Sequence, residues 1–223
     1  GGLGGRVGRA AHACVCAAPT KAAQAKRDAG LPAWGQIVSN PPMDAAEYRL
    51  MDRAEQAMWW YRALHARLGA ALEGVAGPLL DAGCGTGGLL AKLGRAKPDG
   101  QRFGLDYDAG AAARAAAKSG AAVASGSINA LPFADASFAA VVSADVLCHA
   151  AVEPAAALAE LRRVLLPGGR LVLNMPAYQW LLSTHDRRVH NTRRVTAGQL
   201  RGWLAAAGFT ALRTQYWNSL PLP

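Results

Sequence analysis

The sequence is poor in cysteine and has no long apolar run. Four cysteines occur in 223 residues, and the spacing of Cys14, Cys16, Cys84 and Cys148 fits no zinc-binding pattern. We therefore expect reduced thiols and no metal site, as in proteins of the cytosol. Because no stretch approaches the roughly 18 apolar residues that cross a membrane, we also expect no transmembrane segment and a cytoplasmic location.

Acidic residues are scarce as well. Lys and Arg number 24 against 15 Asp and Glu, which gives a formal charge of +9. Much of the excess lies late in the sequence, at Arg187, Arg188, Arg193, Arg194, Arg201 and Arg213. Such a cluster attracts phosphate or carboxylate groups, and a plain solvated surface is the alternative.

The pattern divides the chain into three segments. Residues 1–42 combine a glycine-rich start with a proline-rich breaker, and we expect a flexible extension there. Asp44 then caps a helix that extends to about Leu72, allowing for one break. This helical lid segment, 43–77, precedes a domain that we assign to residues 78–223.

Short apolar runs alternate with helical segments from Pro78 onward. That alternation is typical of a mostly parallel sheet with helices on both faces, and it predicts an α/β domain. The predicted strands are centred on 79–80, 103–105, 121–123, 139–143, 170–173 and 209–217, and the predicted helices on 88–95, 109–118, 155–165 and 196–207.

The most informative motif is the glycine turn that runs from Asp81 to Gly88. Gly83, Gly85 and Gly88 form GxGxxG, which permits a sharp strand-to-helix turn and close approach of a ligand to the backbone. That pattern alone also fits an NAD(P)-dependent oxidoreductase or a turn without a ligand. Asp81 favours S-adenosylmethionine, because a carboxylate suits its cationic methionine portion better than a pyrophosphate.

A second carboxylate, Asp106, ends the next predicted strand about twenty residues after the glycines. A carboxylate at that place in an open α/β sheet can accept both hydroxyl groups of a ribose. We expect ribose binding by Asp106, with a helix-capping role as the alternative. Asp108 is also placed to be that cap.

Four motifs in this order resemble class I S-adenosylmethionine-dependent methyltransferases, and more narrowly their type 11 branch. They are DAGCGTG at the glycine turn, GLDYD at the second strand end, ALPFADASF over 130–138 and LRRVLLPGGRLVLNMP over 161–176. The resemblance implies a Rossmann-like three-layer α/β/α sandwich. The sheet of that family closes with an antiparallel hairpin, but one candidate strand remains here after the final helix, so we expect a missing last strand or a truncated chain.

The resemblance also implies how S-adenosylmethionine is held. Gly83, Gly85 and Gly87 would contact its methionine end, and Asp106 its ribose. Ser127 and Ile128 would lie beside its adenine. Neighbouring residues complete the expected cofactor contacts: Asp81, Ala82, Cys84, Thr86, Tyr107, Asn129 and Ala144.

Two positions depart from the family pattern. An acidic residue is usual where this chain has Ser127, whose hydroxyl can still bond the adenine amino group. An aspartate is usual where this chain has Ala139. These departures keep a second interpretation open, in which the protein binds S-adenosylmethionine without catalysing transfer.

Candidate acceptor residues follow the fourth and fifth predicted strands. The resemblance places Asp145 and His149 beside the transferred methyl group. The polar segment 183–194 contains two histidines around Asp186, an arrangement that suits a base and its orienting carboxylate. His149 and His185 are the candidate catalytic bases. The candidate substrate-binding residues are Trp60, Asp145, His149, His185, Arg188, His190 and Arg194, although core packing is the alternative for Trp60.

The basic segment bears on the methyl acceptor. It favours an anionic small molecule, then a phospholipid-linked sugar, then RNA. Nucleic acid is not favoured, because aromatic residues do not interleave with the basic ones as a stacking platform requires. The sequence gives no indication of the oligomeric state.

Overall fold

The computed structural model describes residues 12–19, by their backbone, and residues 52, 55 and 57–217. Its strands are β1 (His12–Pro19), β2 (Leu79–Ala82), β3 (Arg102–Asp106), β4 (Ala122–Ser125), β5 (Phe138–Ala144), β6 (Leu165–Pro176) and β7 (Phe209–Trp217). Its helices are α1 (Trp59–Ala71), α2 (Gly88–Ala96), α3 (Ala109–Ser119), α4 (Pro154–Val164), α5 (Thr184–Arg188) and α6 (Ala197–Ala206), with a 3-10 turn at Gln179–Leu181.

The strands form one seven-stranded sheet in the order β4-β3-β2-β5-β6-β1-β7. Strands β2 to β6 pair in parallel, and β1 is antiparallel to both of its neighbours. Successive strands are added toward one edge of the sheet from β2 to β4 and toward the other edge from β5 to β6. The carboxyl ends of β2, β3 and β5 therefore meet at the place where open α/β sheets bind ligands.

Strand β1 differs from the sequence prediction. The sequence predicts a flexible extension over 1–42, but His12–Pro19 fills the position between β6 and β7 where the predicted sheet lacks its closing strand. A strand bonded on both sides satisfies backbone polar groups of both neighbours, which explains its place. Residues 1–11 and 20–42 lie outside the described residues, so the prediction is untested there.

Apolar side chains cover both faces of the sheet. On one face Leu80, Leu105 and Leu173 share a core with residues of α4 and α6. On the other face Val142 and Val172 pack with apolar residues of α1 and α2. The predicted three-layer α/β/α sandwich is therefore confirmed.

Strand β7 contributes to both cores because it contains a bulge. Its register with β1 shifts by one residue near Ala211, whose φ is 54°. Phe209, before the shift, packs on the α4 and α6 face. Trp217, after it, packs on the α1 face, next to the carboxyl ends of the central strands.

The early helix breaks as the sequence allows. Met58 has an extended backbone and precedes α1, whereas Asp52, Glu55 and Ala57 are helical. The start of the predicted helix, from Asp44, lies outside the described residues. No helix in the described part of the chain is long and apolar enough to span a bilayer.

Candidate cofactor and acceptor site

The glycine turn between β2 and α2 is closed on two sides by other parts of the chain. Gly83 has a φ of 92°, and a Cβ atom on it would overlap the side chain of Val146 after β5. Gly87 has a φ of 84°, and a Cβ atom there would lie 2.7 Å from the Cα atom of Ala115 in α3. Both positions therefore require glycine, for backbone conformation and for space.

Two carboxylates project from the same face of the sheet beside this turn. Asp81 pairs with Gly104 in the β2–β3 register, and Asp106 is two residues beyond Gly104, so both side chains point toward the α1 face. Asp106 Oδ2 accepts a hydrogen bond from the Gly85 amide at 2.8 Å. Its Oδ1 accepts from the Asp108 amide at 3.0 Å. Asp106 thus fixes the turn, and ribose binding by this residue stays a prediction.

Burial changes the chemistry of Asp81. Its side chain is 3% exposed, and burial, followed by the negative charges of Glu55 and Asp106, raises its pKa from 3.8 to about 8. A cationic ligand that reaches this carboxyl group would stabilise its charged form. The site is therefore suited to a positively charged ligand group.

The helical segment before α1 contacts the glycine turn from outside. Thr86 Oγ1 donates a hydrogen bond to Glu55 Oε2 at 2.8 Å, and Lys118 Nζ donates to the same oxygen at 2.8 Å. Lys118 also forms an ion pair with Asp52. The side chain of Thr86 is thus used to hold the segment against the turn, and its predicted cofactor contact would have to come from the backbone.

The predicted adenine side is held by loop contacts. Ser127 Oγ accepts a hydrogen bond from the Asn129 amide at 3.2 Å, and the Asn129 side chain donates to the Ala151 carbonyl at 3.0 Å. Ile128 is buried in the core. Tyr107 is exposed, with 43% of its surface accessible. The structure brings the loop near β3 and β4, but these side chains mostly stabilise the loop itself.

The remaining predicted cofactor residues lie at the ends of β2 and β5. Ala82 is fully buried, and its carbonyl accepts a hydrogen bond from Ser143 Oγ at 2.7 Å. Cys84 is buried, and burial together with the charges of Asp81 and Asp106 raises the pKa of its thiol. Ala144, the last residue of β5, is half-buried.

Comparisons with known proteins agree with this geometry. Residues 80–173, from β2 to β6, match a family model described as a methyltransferase domain. A protein from Encephalitozoon cuniculi named as a methyltransferase is 31% identical over 143 residues, which are 63% of this chain and 61% of that protein. The solved complex between the Haloferax volcanii Trm112 methyltransferase activator and a methyltransferase contains a similar chain. It is 25% identical, with a TM-score of 0.59 over 74% of this chain and 73% of that chain.

Residues 80–173 are thus similar to a type 11 methyltransferase domain, and the described fold is similar to that of a solved methyltransferase. An uncharacterised protein from Mycobacterium bovis is 32% identical over 197 residues, which cover 80% of this chain and 66% of that protein. The matches span 61% and 66% of the lengths of these two curated relatives. The relatives therefore extend beyond the matched region.

A hydrogen-bonded series of polar side chains, which we call the polar chain, lies at the carboxyl end of β5. Asp145 follows β5 with a φ of 55°, a left-handed conformation that is unusual outside glycine, asparagine and aspartate. Asp145 Oδ1 accepts a hydrogen bond from Asn174 Nδ2 at 2.9 Å. Asn174 Oδ1 in turn accepts from the indole N–H of Trp217 at 2.8 Å. Sequence reasoning found Asp145 but missed Asn174 and Trp217, because only the sheet register brings them together.

The pKa of Asp145 reflects this environment. Burial raises it from 3.8 to about 7, although the hydrogen bond from Asn174 and the charge of Arg194 act to lower it. Asp186 adds a smaller raising effect. Asp145 is therefore poised to exchange a proton near neutral pH.

Two aromatic residues of α1 lie near the polar chain formed by Asp145, Asn174 and Trp217. Trp60 stacks on Trp217 with ring centroids 6.1 Å apart, so it packs on the sheet and lies close to the polar chain. Tyr61 is edge-on to Trp60 at 4.8 Å. Burial, followed by the charges of Glu55 and Asp145, raises the pKa of Tyr61. Tyr61 stays neutral at physiological pH and is a site residue that sequence reasoning missed.

The two candidate bases have different surroundings. The ring of His149 hydrogen-bonds to the backbone of Val189 and Asp145, and burial lowers its pKa. His185 is exposed on α5. Asp186 orients neither histidine in the described contacts, because its oxygens accept from Ser183, Asn191 and Arg194. The hypothesis of a histidine paired with Asp186 is therefore wrong.

The predicted basic residues divide into buried and exposed ones. Arg194 is buried, and its guanidinium donates twice to Asp186 Oδ2, at 3.1 and 2.9 Å. It also donates to the Ala177 carbonyl. Arg194 thus holds its segment in place, whereas Arg188 is exposed and His190 is half-buried with a φ of 58°.

An aromatic cluster borders the basic segment. It consists of Tyr178, Trp180 and Tyr216: the Tyr178 and Tyr216 rings stack at 5.2 Å, and the Tyr178 and Trp180 rings lie 6.0 Å apart. Gln179, between two of these residues, accepts a hydrogen bond from the Arg194 amide at 2.8 Å. Sequence patterns did not indicate this cluster, because residues 38 positions apart meet in it. Its rings contact one another and no basic side chain is placed between them in the described contacts, so the expectation that nucleic acid is not favoured stays a prediction.

Proposed function

We propose that this domain transfers a methyl group from S-adenosylmethionine to an acceptor that carries an anionic group and an apolar or aromatic body. Asp81 and Asp106, which lie on one face of the sheet beside the closed glycine turn, carry this proposal. Bound S-adenosylmethionine supplies an activated methyl group on a cationic sulfur. The domain needs to bind and orient both substrates and to exclude water.

The cofactor fits the residues present. Gly83 and Gly87 let Val146 and α3 pack directly against the turn, which fixes its shape. Asp81 offers a negative charge to a cationic ligand group. The amide groups at the start of α2 add donors for a carboxylate, which S-adenosylmethionine also carries.

The acceptor class is inferred from the surface at the same edge of the sheet. Arg187 and Arg188 are exposed on α5, and either can pair with a phosphate or carboxylate. Trp180, beside this segment, is 70% exposed. An acceptor with an anionic group and a ring or hydrocarbon portion could contact both features, as a lipid-linked or aromatic anion would.

Calorimetry and isotope transfer test the proposal in order. Titration with S-adenosylhomocysteine should show one binding site per chain. Labelling of cell extract with tritiated S-adenosylmethionine should then place tritium mainly in the lipid or small-molecule pool. Absence of binding would refute the cofactor assignment, and label confined to nucleic acid or protein would refute the acceptor class.

A matched pair of arginine variants separates docking from folding. Arg188→Ala should weaken acceptor use several-fold with an unchanged melting temperature, because Arg188 is exposed. Arg194→Ala should instead destabilise the domain by about 3–5 kcal/mol, because it leaves the buried Asp186 charge unpaired. Equal effects of both variants on acceptor use and on melting would contradict this division.

Binding without transfer is the alternative function. It is favoured by Ser127 and Ala139, which stand where the family usually has acidic residues. The Ala139 amide donates a hydrogen bond to the Pro78 carbonyl at 2.8 Å, and its Cβ atom would lie 3.0 Å from one on Gly77, so this position is closely packed as it is. Cofactor binding with no tritium transfer to any pool would support the alternative. An NAD(P)-dependent oxidoreductase, which would leave Asp81 without a role, would instead show fluorescence changes on NADH titration.

A further inference from the structure

We infer that Asp145 accepts the proton of the methyl acceptor, that Asn174 and Trp217 position its carboxylate, and that the acceptor is therefore a hydroxyl or amine that still carries its proton. The inference rests on the proposed function and deepens it. It assigns a role to the closing end of β7, which reaches the site through Trp217.

The hydrogen-bond directions carry the first step of the inference. The indole N–H of Trp217 can only donate, so it fixes the Asn174 side-chain oxygen toward itself at 2.8 Å. The Asn174 amide nitrogen then points at Asp145 and donates to Oδ1 at 2.9 Å. These two hydrogen bonds thus determine the orientation of the Asn174 amide and direct it to Oδ1 of Asp145. The other carboxylate oxygen, Oδ2, is then available to the acceptor proton.

The placement of Asp145 carries the second step. Ala144 pairs with Asn174 in the β5–β6 register, so Asp145 lies immediately beyond the carboxyl end of a central strand. Its left-handed backbone, with a φ of 55°, is strained relative to the extended strand before it. The turn at this residue directs its side chain toward Asn174, to which it is hydrogen-bonded.

The charged groups around Asp145 come from three elements. Tyr61 faces it from α1. Arg194 and Asp186 face it from the basic segment, where they pair with each other. The His149 ring contacts its backbone. Arg194 and Asn174 favour the carboxylate form, whereas burial and Asp186 favour the protonated form.

The proposed step balances in atoms and charge. A lone pair of the acceptor oxygen or nitrogen forms the new bond to the methyl carbon, and the carbon–sulfur bond breaks with its electron pair left on sulfur. The acceptor proton passes to Asp145 Oδ2. A cationic sulfonium and an anionic carboxylate thereby become a neutral thioether and a neutral acid, a change that a buried site favours.

The test compares four single variants of the whole chain with the wild type. Asp145→Asn removes the base but keeps an acceptor for Asn174, and asparagine tolerates the left-handed backbone. Trp217→Phe removes the indole donor and keeps a ring. Asn174→Leu removes the amide itself, and it gives a second reading of the Asp145 titration if Trp217→Phe does not fold. Trp203→Phe, in the core on the other face of the sheet, is the control for loss of a tryptophan.

Each variant is examined by calorimetry with S-adenosylhomocysteine, by tritium transfer to extract between pH 5.5 and 9, and by carbon-13 NMR of labelled aspartate carboxyl groups. We expect all variants to bind S-adenosylhomocysteine within about threefold of the wild type. Asp145→Asn should lose about 100-fold or more of the transfer rate. Trp217→Phe and Asn174→Leu should move the acid limb of the rate profile, and the NMR titration of Asp145, to higher pH, because a donor to the carboxylate is loosened or lost.

Two results would overturn the inference. The first is wild-type transfer by Asp145→Asn. The second is an unchanged Asp145 titration in both Trp217→Phe and Asn174→Leu. The NMR titration tests whether Asn174 and Trp217 control the pKa of Asp145 even when the extract contains no methyl acceptor. Failure of the wild type to bind S-adenosylhomocysteine would instead refute the proposed function, so the two failures are distinguishable.

Discussion

Single carboxyl groups dominate the chemistry of this domain at the residue scale. Asp81 is buried and Asp145 is half-buried at the carboxyl edge of the sheet, and desolvation raises the pKa of each toward neutrality. A buried carboxylate is unfavourable in the free protein unless a partner compensates for its lost hydration. The free domain therefore carries a stability penalty at these positions that a cationic ligand would relieve.

Asp81→Asn should make the free domain more stable at pH 8 and should weaken cofactor binding. The folded-state pKa of Asp81 is about 8, against 3.8 ordinarily. Between these values the folded state holds a proton that the unfolded state has released, so the contribution of Asp81 to stability falls as pH rises through this window. Asparagine does not titrate, and the stability gain of the variant should grow from pH 4 to pH 8, reaching about 1–3 kcal/mol.

Urea denaturation gives the free energy of unfolding of the wild type and of Asp81→Asn at pH 5 and at pH 8. Subtracting the wild-type value at each pH removes the contribution of the other titrating groups. A stability gain that is the same at both pH values would show that the Asp81 charge is not responsible.

Individual site residues were predictable where a motif marks them. Gly83, Gly87 and Asp81 occur in one short stretch with a recognisable pattern. Asn174 and Trp217 were not predictable, since they are 43 residues apart and meet only through the order of the strands. The Asp186–Arg194 ion pair was not predicted, because the same polar sequence is compatible with charged side chains that face solvent and with charged side chains that pair with each other.

At the scale of elements, the glycine turn is the most constrained connection. Gly87 ends the turn as the residue before α2, and its α-carbon hydrogen faces the backbone of α3 at Ala115. Gly120 ends α3 with a similar left-handed φ of 67°, but open space surrounds it. Substitution of Gly120 therefore tests the left-handed backbone alone, whereas substitution of Gly87 tests the same backbone conformation together with a steric overlap.

Gly87→Ala should destabilise the domain much more than Gly120→Ala. The control variant bears only the left-handed strain of an L-residue, about 1–2 kcal/mol. Gly87→Ala adds a contact of 2.7 Å to a backbone atom, and overpacking adds about 1–3 kcal/mol. Thermal denaturation of both variants checks the order, and similar melting temperatures would show that α2 and α3 separate easily.

Most helices were predictable at this scale and one strand was not. Asp108 and Thr196 cap α3 and α6 through side-chain hydrogen bonds, as their positions before alanine-rich runs indicate. Strand β1 is short and consists largely of alanine and cysteine, which lack the β-branched alternation of a strand. Its conformation depends on partners more than 150 residues away, and local sequence contains no information about them.

At the scale of the whole molecule, β1 joins two strands whose backbones do not pair with each other. It hydrogen-bonds to β6 on one side and to β7 on the other. Without it, both neighbours would present unpaired backbone groups, and Trp217 would lose the strand that aligns β7 with the rest of the sheet.

Val15→Pro should unfold or open this end of the domain. Proline removes a backbone donor from a strand that is bonded on both sides, which costs about 3 kcal/mol or more. Val15→Ala retains the donor and is the matched control. Hydrogen exchange should show loss of protection in β6 and β7 for the proline variant alone, and equal protection in both variants would show that β1 is dispensable.

The place of β1 also sets an order of events during synthesis. Residues 12–19 leave the ribosome before their two partners, 165–176 and 209–217, which are completed only about 150 and 200 residues later, at the rate of roughly 5–20 residues per second. Strand β1 must therefore wait for many seconds before both of its partners are available. Contacts this distant in sequence slow folding, so refolding of the chain should include a late phase in which Trp217 fluorescence reports the arrival of its earliest-made neighbour.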